Sequence, residues 1–135
     1  MAGEAAMEMF NVDASVEVRV DQDGYRGGWF RATIVEARGP GRYLVEFHDL
    51  LADDDKKQKI REEARVQDIR LPPPREAGVK LDLLDEVDAF FEDAWRSGVI
   101  CKIPGRLKSK VHFWVTKQEH DIKNSDLRPY YKNKN

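Results

Sequence analysis

Four short segments recur in the same order on either side of Pro72-Pro73-Pro74, and this internal duplication limits the possible folds more than any other feature. Glu86-Val87-Asp88-Ala89-Phe90-Phe91 matches Ser15-Val16-Glu17-Val18-Arg19-Val20, and Trp95-Arg96-Ser97-Gly98-Val99-Ile100 matches Trp29-Phe30-Arg31-Ala32-Thr33-Ile34. Val111-His112-Phe113-Trp114-Val115 aligns with Tyr43-Leu44-Val45-Glu46-Phe47, and Asp126-Leu127-Arg128-Pro129 with Asp68-Ile69-Arg70-Leu71. Three successive prolines lack amide donors and favour polyproline geometry, so neither a helix nor a central strand continues through them. The sequence therefore predicts an N-terminal tail over 1–13, a first repeat over 14–74, a second over 75–131 and a C-terminal tail over 132–135.

Inside each repeat the hydrophobic period is two. Val16, Val18 and Val20 alternate with Glu17 and Arg19; Phe30, Ala32 and Ile34 with Arg31 and Thr33; Tyr43, Val45 and Phe47 with Leu44 and Glu46. Such alternation marks strands with one buried and one wet face. Gly27-Gly28 and Gly39-Pro40-Gly41 fall between the runs as turns, so the expected class is all-β, a meander curling into a small barrel. Asp53-Asp54-Asp55 either caps a short helix near residues 55–65 or opens a charged loop.

A module of about 60 residues buries only about 60 % of its unfolded surface, so two such modules gain by packing together. One monomeric tandem unit is expected, with Trp114 buried between the repeats. No apolar run approaches the roughly 18 residues that span a bilayer. Met1 to Phe10 carries Glu4 and Glu8 without a basic region, unlike a secretory signal. Cys101 is the single cysteine, which excludes an intramolecular disulfide and suits a reducing compartment. His48, His112 and His120 lack metal-ligand spacing, and there is neither a phosphate-cradling glycine loop nor a nucleophile elbow. The reading is a binding module rather than an enzyme, without cofactor or metal.

Charge is unevenly divided. Up to Pro74 there are 11 Lys/Arg against 15 Asp/Glu, and from Arg75 onward 12 against 10. The acidic first half suits a cationic partner.

The motifs together resemble the plant Agenet family, a Tudor-like branch of the Royal superfamily. Val16-Glu17-Val18, Gly24-Tyr25-Arg26-Gly27-Gly28-Trp29-Phe30-Arg31-Ala32, Tyr43 to Phe47 and Asp68 to Pro74 follow its first-repeat pattern. Val87-Asp88-Ala89-Phe90, Trp95 to Ile100 and Asp126 to Pro129 follow the second, so the likeness spans residues 14–130. It implies two strongly bent five-stranded antiparallel barrels in tandem. It also implies a nuclear chromatin reader of histone tails, through methyl-lysine in several members and through the heterochromatic dimethyl-lysine mark of histone three in one group. Two features depart from the pattern: Ala94-Trp95 stands where two tryptophans are usual, and Leu107 to Lys110 is basic.

A methylated ammonium has lost hydrogen-bond donors but kept its charge, so aromatic faces complement it by about 0.5–2 kcal/mol per pair. A carboxylate can accept a remaining N–H. In the first repeat Tyr25, Trp29, Phe47 and Asp49 are the candidate methyl-lysine cage, with Asp21, Asp23 and His48 as flanking peptide contacts. Phe47 has the parity of Val45 and is either core or cage wall; Trp29 packs at an interface or serves the cage. Glu92 and Asp93 are further flanking candidates, and Phe30, Phe91 and Trp95 secondary aromatic ones. Two other readings stay open: a methyl-independent interaction scaffold, and nucleic-acid binding through Lys102, Arg106, Lys108 and Lys110.

Overall fold

A computed structural model describes residues 10–20, 28–51, 58–74 and 79–131. Among them residues 10–20 with 29–72 form one compact unit and residues 73–131 another, the division falling inside the proline run.

The first unit contains β1 (Ser15–Val20), β2 (Gly28–Ala37), β3 (Arg42–Leu51), β4 (Lys59–Arg65) and β5 (Ile69–Arg70), with one 3-10 turn, Val66–Asp68, before the last strand. The second contains β6 (Glu86–Phe91), β7 (Ala94–Lys102), β8 (Lys108–Phe113), β9 (Glu119–Lys123) and β10 (Leu127–Pro129), with its own 3-10 turn at Asn124–Asp126. Each unit is a five-stranded sheet in the order fifth, first, second, third, fourth, with antiparallel pairing. This is the Tudor-like architecture that the sequence predicts.

The duplication extends to backbone irregularities. Register shifts after Ile34 in β2 and after Ile100 in β7, at corresponding positions. A bulge of this kind bends a strand and tightens its twist, which curls a short sheet on itself. At both bulges an upstream segment closes on the strand. Asp13 N–H donates to Ile34 O at 2.8 Å and Ile34 N–H to Ala14 O at 3.0 Å; Leu84 N–H donates to Ile100 O at 2.8 Å and Ile100 N–H to Asp85 O at 3.0 Å. Phe10, inside the expected N-terminal tail, is buried and meets Tyr43 edge-on at 5.4 Å.

The inward faces carry the alternating residues. Val16, Val18, Phe30, Ala32, Ile34, Val45 and Phe47 fill the first core; Val87, Ala89, Ile100, Val111, Phe113, Ile122 and Leu127 fill the second. The outward face of β1 is not wholly wet, because Glu17 is buried too.

The helix expected near residues 55–65 is corrected over its described part. Lys59–Arg65 is strand β4, an edge strand antiparallel to β3. Only Ile60 and Ala64 are half-buried on it, so its sequence reads as charged. An exposed edge with one paired side hides few side chains and leaves little apolar signal.

Candidate functional site

On β2 the outward side chains are Trp29, Arg31 and Thr33, between the buried Phe30, Ala32 and Ile34. Glu46 and His48 of β3 are half-buried beside them, and Asp49 follows. Arg31 grips Asp49 with two donated hydrogen bonds, Nε to Oδ2 at 2.9 Å and Nη2 to Oδ1 at 2.7 Å. That bond, ahead of the opposing effect of burial, raises the Arg31 pKa above its ordinary value. Thr33 Oγ1 and His48 Nε2 lie 2.7 Å apart. Burial, and next the nearby Arg31 charge, lower the pKa of His48 and favour its neutral ring. Trp29 and Arg31 are two residues apart on one face, about 7 Å along the strand. The Arg31 pair thus ties Asp49 to the strand face that carries Trp29.

Trp29 is itself engaged. The Arg70 guanidinium stacks 4.0 Å from its ring centre, and Arg19 approaches at 5.6 Å. Arg70 also pairs with the buried Glu17 at 2.8 Å. The second repeat rebuilds this arrangement: Arg128 lies 4.0 Å from the Trp95 ring and 3.4 Å from the buried Asp88. Neither set as a whole is among the residues expected from the sequence. Their signal was available, since Glu17/Asp88, Trp29/Trp95 and Arg70/Arg128 occupy corresponding places in the two copies.

Asp21, Asp23 and Tyr25 lie outside the described residues. Phe47 is core rather than a cage wall: it is 2 % exposed and meets Phe30 edge-on at 6.2 Å. Phe30 is likewise core at 1 %. In the second unit Trp95 is buried beneath Arg128 with Phe90 edge-on at 5.3 Å. Phe91 stacks on Phe113 and on His120, at 5.4 and 4.5 Å. Glu92 and Asp93 form the two-residue turn from β6 to β7, with φ of 51° and 69°, the left-handed pair typical of tight hairpins. Arg96 holds that turn by donating to the carbonyls of Phe91 and Glu92, and the two carboxylates project from an exposed tip.

The pairing corrects the alignment of the copies. Phe47 faces Ala32 and Phe113 faces Gly98, so Phe113, not Val115, is the counterpart of Phe47. A slip of two residues keeps every side chain on its face, which is why alternation alone does not reveal it. Trp114 and Val115 therefore stand where the first repeat has His48 and Asp49. Trp114 is half-buried against Tyr130, edge-on at 5.0 Å.

Among the described residues no group of three or more His, Cys, Asp or Glu is arranged to hold a metal ion, and no helix is long and apolar enough to cross a membrane.

Comparison with known proteins agrees with this architecture. Residues 13–74 match the family model described as Agenet domain. The chain is 38 % identical over 95 residues to the Arabidopsis thaliana protein named AGENET DOMAIN (AGD)-CONTAINING P1, covering 70 % of this chain and 18 % of that protein. It is 36 % identical over 95 residues to DUF724 domain-containing protein 3 of the same plant, covering 67 % and 14 %. The chain thus spans less than a fifth of either relative. Among solved structures, the crystal structure of Arabidopsis thaliana AGDP1 AGD34 superposes with a TM-score of 0.85 at 30 % identity, covering 95 % of this chain and 87 % of that one. The crystal structure of ADCP1 tandem Agenet domain 3-4 superposes at 0.82 with 29 % identity, covering 95 % and 86 %.

Proposed function

The chain belongs to the Agenet family, and from that premise we propose that it is a non-enzymatic chromatin reader. Its ligand is a basic histone-tail peptide carrying methyl-lysine, with the heterochromatic dimethyl-lysine mark of the histone-three tail as the preferred form. The site is the outward rim of the first repeat. In the proposed cage Tyr25 and Trp29 supply aromatic faces and Asp49 the acceptor for the remaining N–H, with Asp21 and Asp23 as flanking peptide contacts. His48 lies beside the acid, and nuclear localisation follows from the partner.

The observation that supports this reading is that Trp29 and Arg31, the partner of Asp49, share the outward face of β2. The indole already attracts the guanidinium groups of Arg70 and, at longer range, Arg19 by cation–π interaction, so its ring suits a cationic ligand. A carboxylate has about four lone-pair sites, so Asp49 retains acceptor capacity beyond the two bonds from Arg31. The second repeat has Val115 at the place of the acid and buries Trp95, which argues for the first as the reading repeat.

Titration of Trp29→Ala, Asp49→Asn and Trp95→Ala with dimethylated histone-three peptide tests the assignment. Loss of Trp29 should cost about 2 kcal/mol of binding, the hot-spot range. Asp49→Asn should reduce discrimination among methylation states, and Trp95→Ala should change binding much less. A methyl preference that survives Trp29→Ala and disappears in folded Trp95→Ala assigns the site to the second repeat instead.

A further inference from the structure

The second unit carries a groove of about 1280 Å³. Tyr130 and Tyr131 line it with Lys80 and Arg106; its only lining carboxylate among the described residues is Asp82, which accepts the Leu83 N–H at 2.8 Å. Arg128 also lines it, but that charge is committed to Asp88.

Next to the groove the β7–β8–β9 edge concentrates one sign of charge. Lys102 stands directly opposite Lys110, and Lys108 directly opposite Lys123. Like charges facing across a ladder destabilise a sheet. Lys110 reaches Asp121 at 3.8 Å, while Lys102, Arg106, Lys108 and Lys123 have no ion pair among the described residues. The corresponding tip of the first repeat sets Arg42 opposite Arg65 but balances its charges. Arg42 pairs with Glu63 at 3.0 Å, Arg38 with Glu36 at 2.7 Å and Arg65 with Asp68 at 4.0 Å. The fold therefore does not require an unbalanced tip, and the second copy has one in addition to the fold.

The tip is also fixed in position. Asn124 Nδ2 donates to Arg106 O at 3.1 Å, Asn124 N–H to Leu107 O at 2.8 Å, and Ser109 Oγ to Asn124 Oδ1 at 2.8 Å. Tyr130 is held by its N–H on Glu86 O at 3.1 Å and by the edge-on contact with Trp114. Lys80 and Arg106 thus border the groove together with Tyr130 and Tyr131, and the adjoining β8–β9 edge carries Lys108 and Lys123.

We propose that this groove binds single-stranded nucleic acid, with bases stacked against Tyr130 and Tyr131 and phosphates on Lys80 and Arg106 at its wall and on Lys108 and Lys123 of the adjoining edge. Unpaired bases expose the π-faces that a tyrosine wall complements, whereas a duplex hides them. The carboxylates of an acidic peptide would use the cations but offer no planar ring to stack on a tyrosine. The inference is independent of the histone reading, which concerns the first repeat.

The test is fluorescence anisotropy with the whole chain and a labelled oligothymidylate of about 15 nucleotides, within the usual range of site sizes. Binding should saturate at low salt and weaken linearly on logarithmic axes as salt rises. Lys108→Glu with Lys123→Glu should weaken it tenfold or more and flatten the salt slope by roughly one to two. Tyr131→Ala, at an exposed position, should weaken it several-fold without changing the slope, and Arg42→Glu in the first repeat should leave it intact. Absence of binding at about 50 mM salt, an unaltered double variant, or equal competition by a duplex or polyglutamate would overturn the proposal.

Discussion

Arg70 stacks its guanidinium 4.0 Å from the ring centre of Trp29 while binding the buried carboxylate of Glu17 at 2.8 Å. The second repeat repeats the relationship with Arg128, Trp95 and Asp88. Removing one partner of a buried pair strands the other charge away from water, which costs about 3–5 kcal/mol. Glu17→Ala and Asp88→Ala should each destabilise the chain by that amount in urea unfolding. A loss below about 1 kcal/mol, the range of exposed pairs, would mean that neither set holds its barrel.

Gly98 makes a second stability prediction. A Cβ at this position would collide with the His112 carbonyl and crowd the Val111 side chain. Gly98→Ala should therefore cost about 1–3 kcal/mol or more by overpacking. At the corresponding position of the first repeat, Ala32→Gly should cost only about 0.5–1 kcal/mol. Equal effects in the two would contradict the close β7–β8 approach.

His48 gives a pH dependence of known sign. Burial, with Arg31 acting in the same direction, holds its folded pKa below the ordinary 6.5, so the unfolded chain takes the proton first. The associated stability is complete above about pH 6.5 and declines as pH falls towards the folded value. His48→Gln should reduce the stability loss between about pH 7.5 and pH 5.5. An identical loss in the variant would place its source elsewhere.

In the proposed site Arg31 would compete with a peptide cation for Asp49. Its exposed ion pair is worth about 0.2–1 kcal/mol, so Arg31→Ala should release the carboxylate and tighten peptide binding by up to about five-fold. Weaker binding in that variant would make Arg31 itself a peptide contact.

Much of this arrangement was legible in the residues, and what was hidden has physical causes. The period-two runs gave β1, β2 and β3, and their recurrence gave the second barrel. Strand β4 was obscured because an exposed edge shows charge instead of alternation. The β8 register was two residues out because a slip of two preserves facing. Among the candidate site residues, Asp49 and Trp29 stand out by type, but parity does not decide whether Phe47 is core. Arg31 went unnoticed because a guanidinium on a wet strand face gives no hint of its partner on the next strand. The Glu92-Asp93 turn lacks the glycine that usually announces left-handed residues, so its tight hairpin geometry is not visible in the sequence.

The most direct test of the account is calorimetric titration of the whole chain with matched histone-three tail peptides, one dimethylated at a lysine and one unmodified, at the same salt. The reading predicts at least tenfold tighter binding of the dimethylated peptide, about 1.4 kcal/mol, within reach of one or two cation–π contacts. Equal affinity for the two peptides would contradict a methyl-lysine reader and leave a charge-driven interaction module.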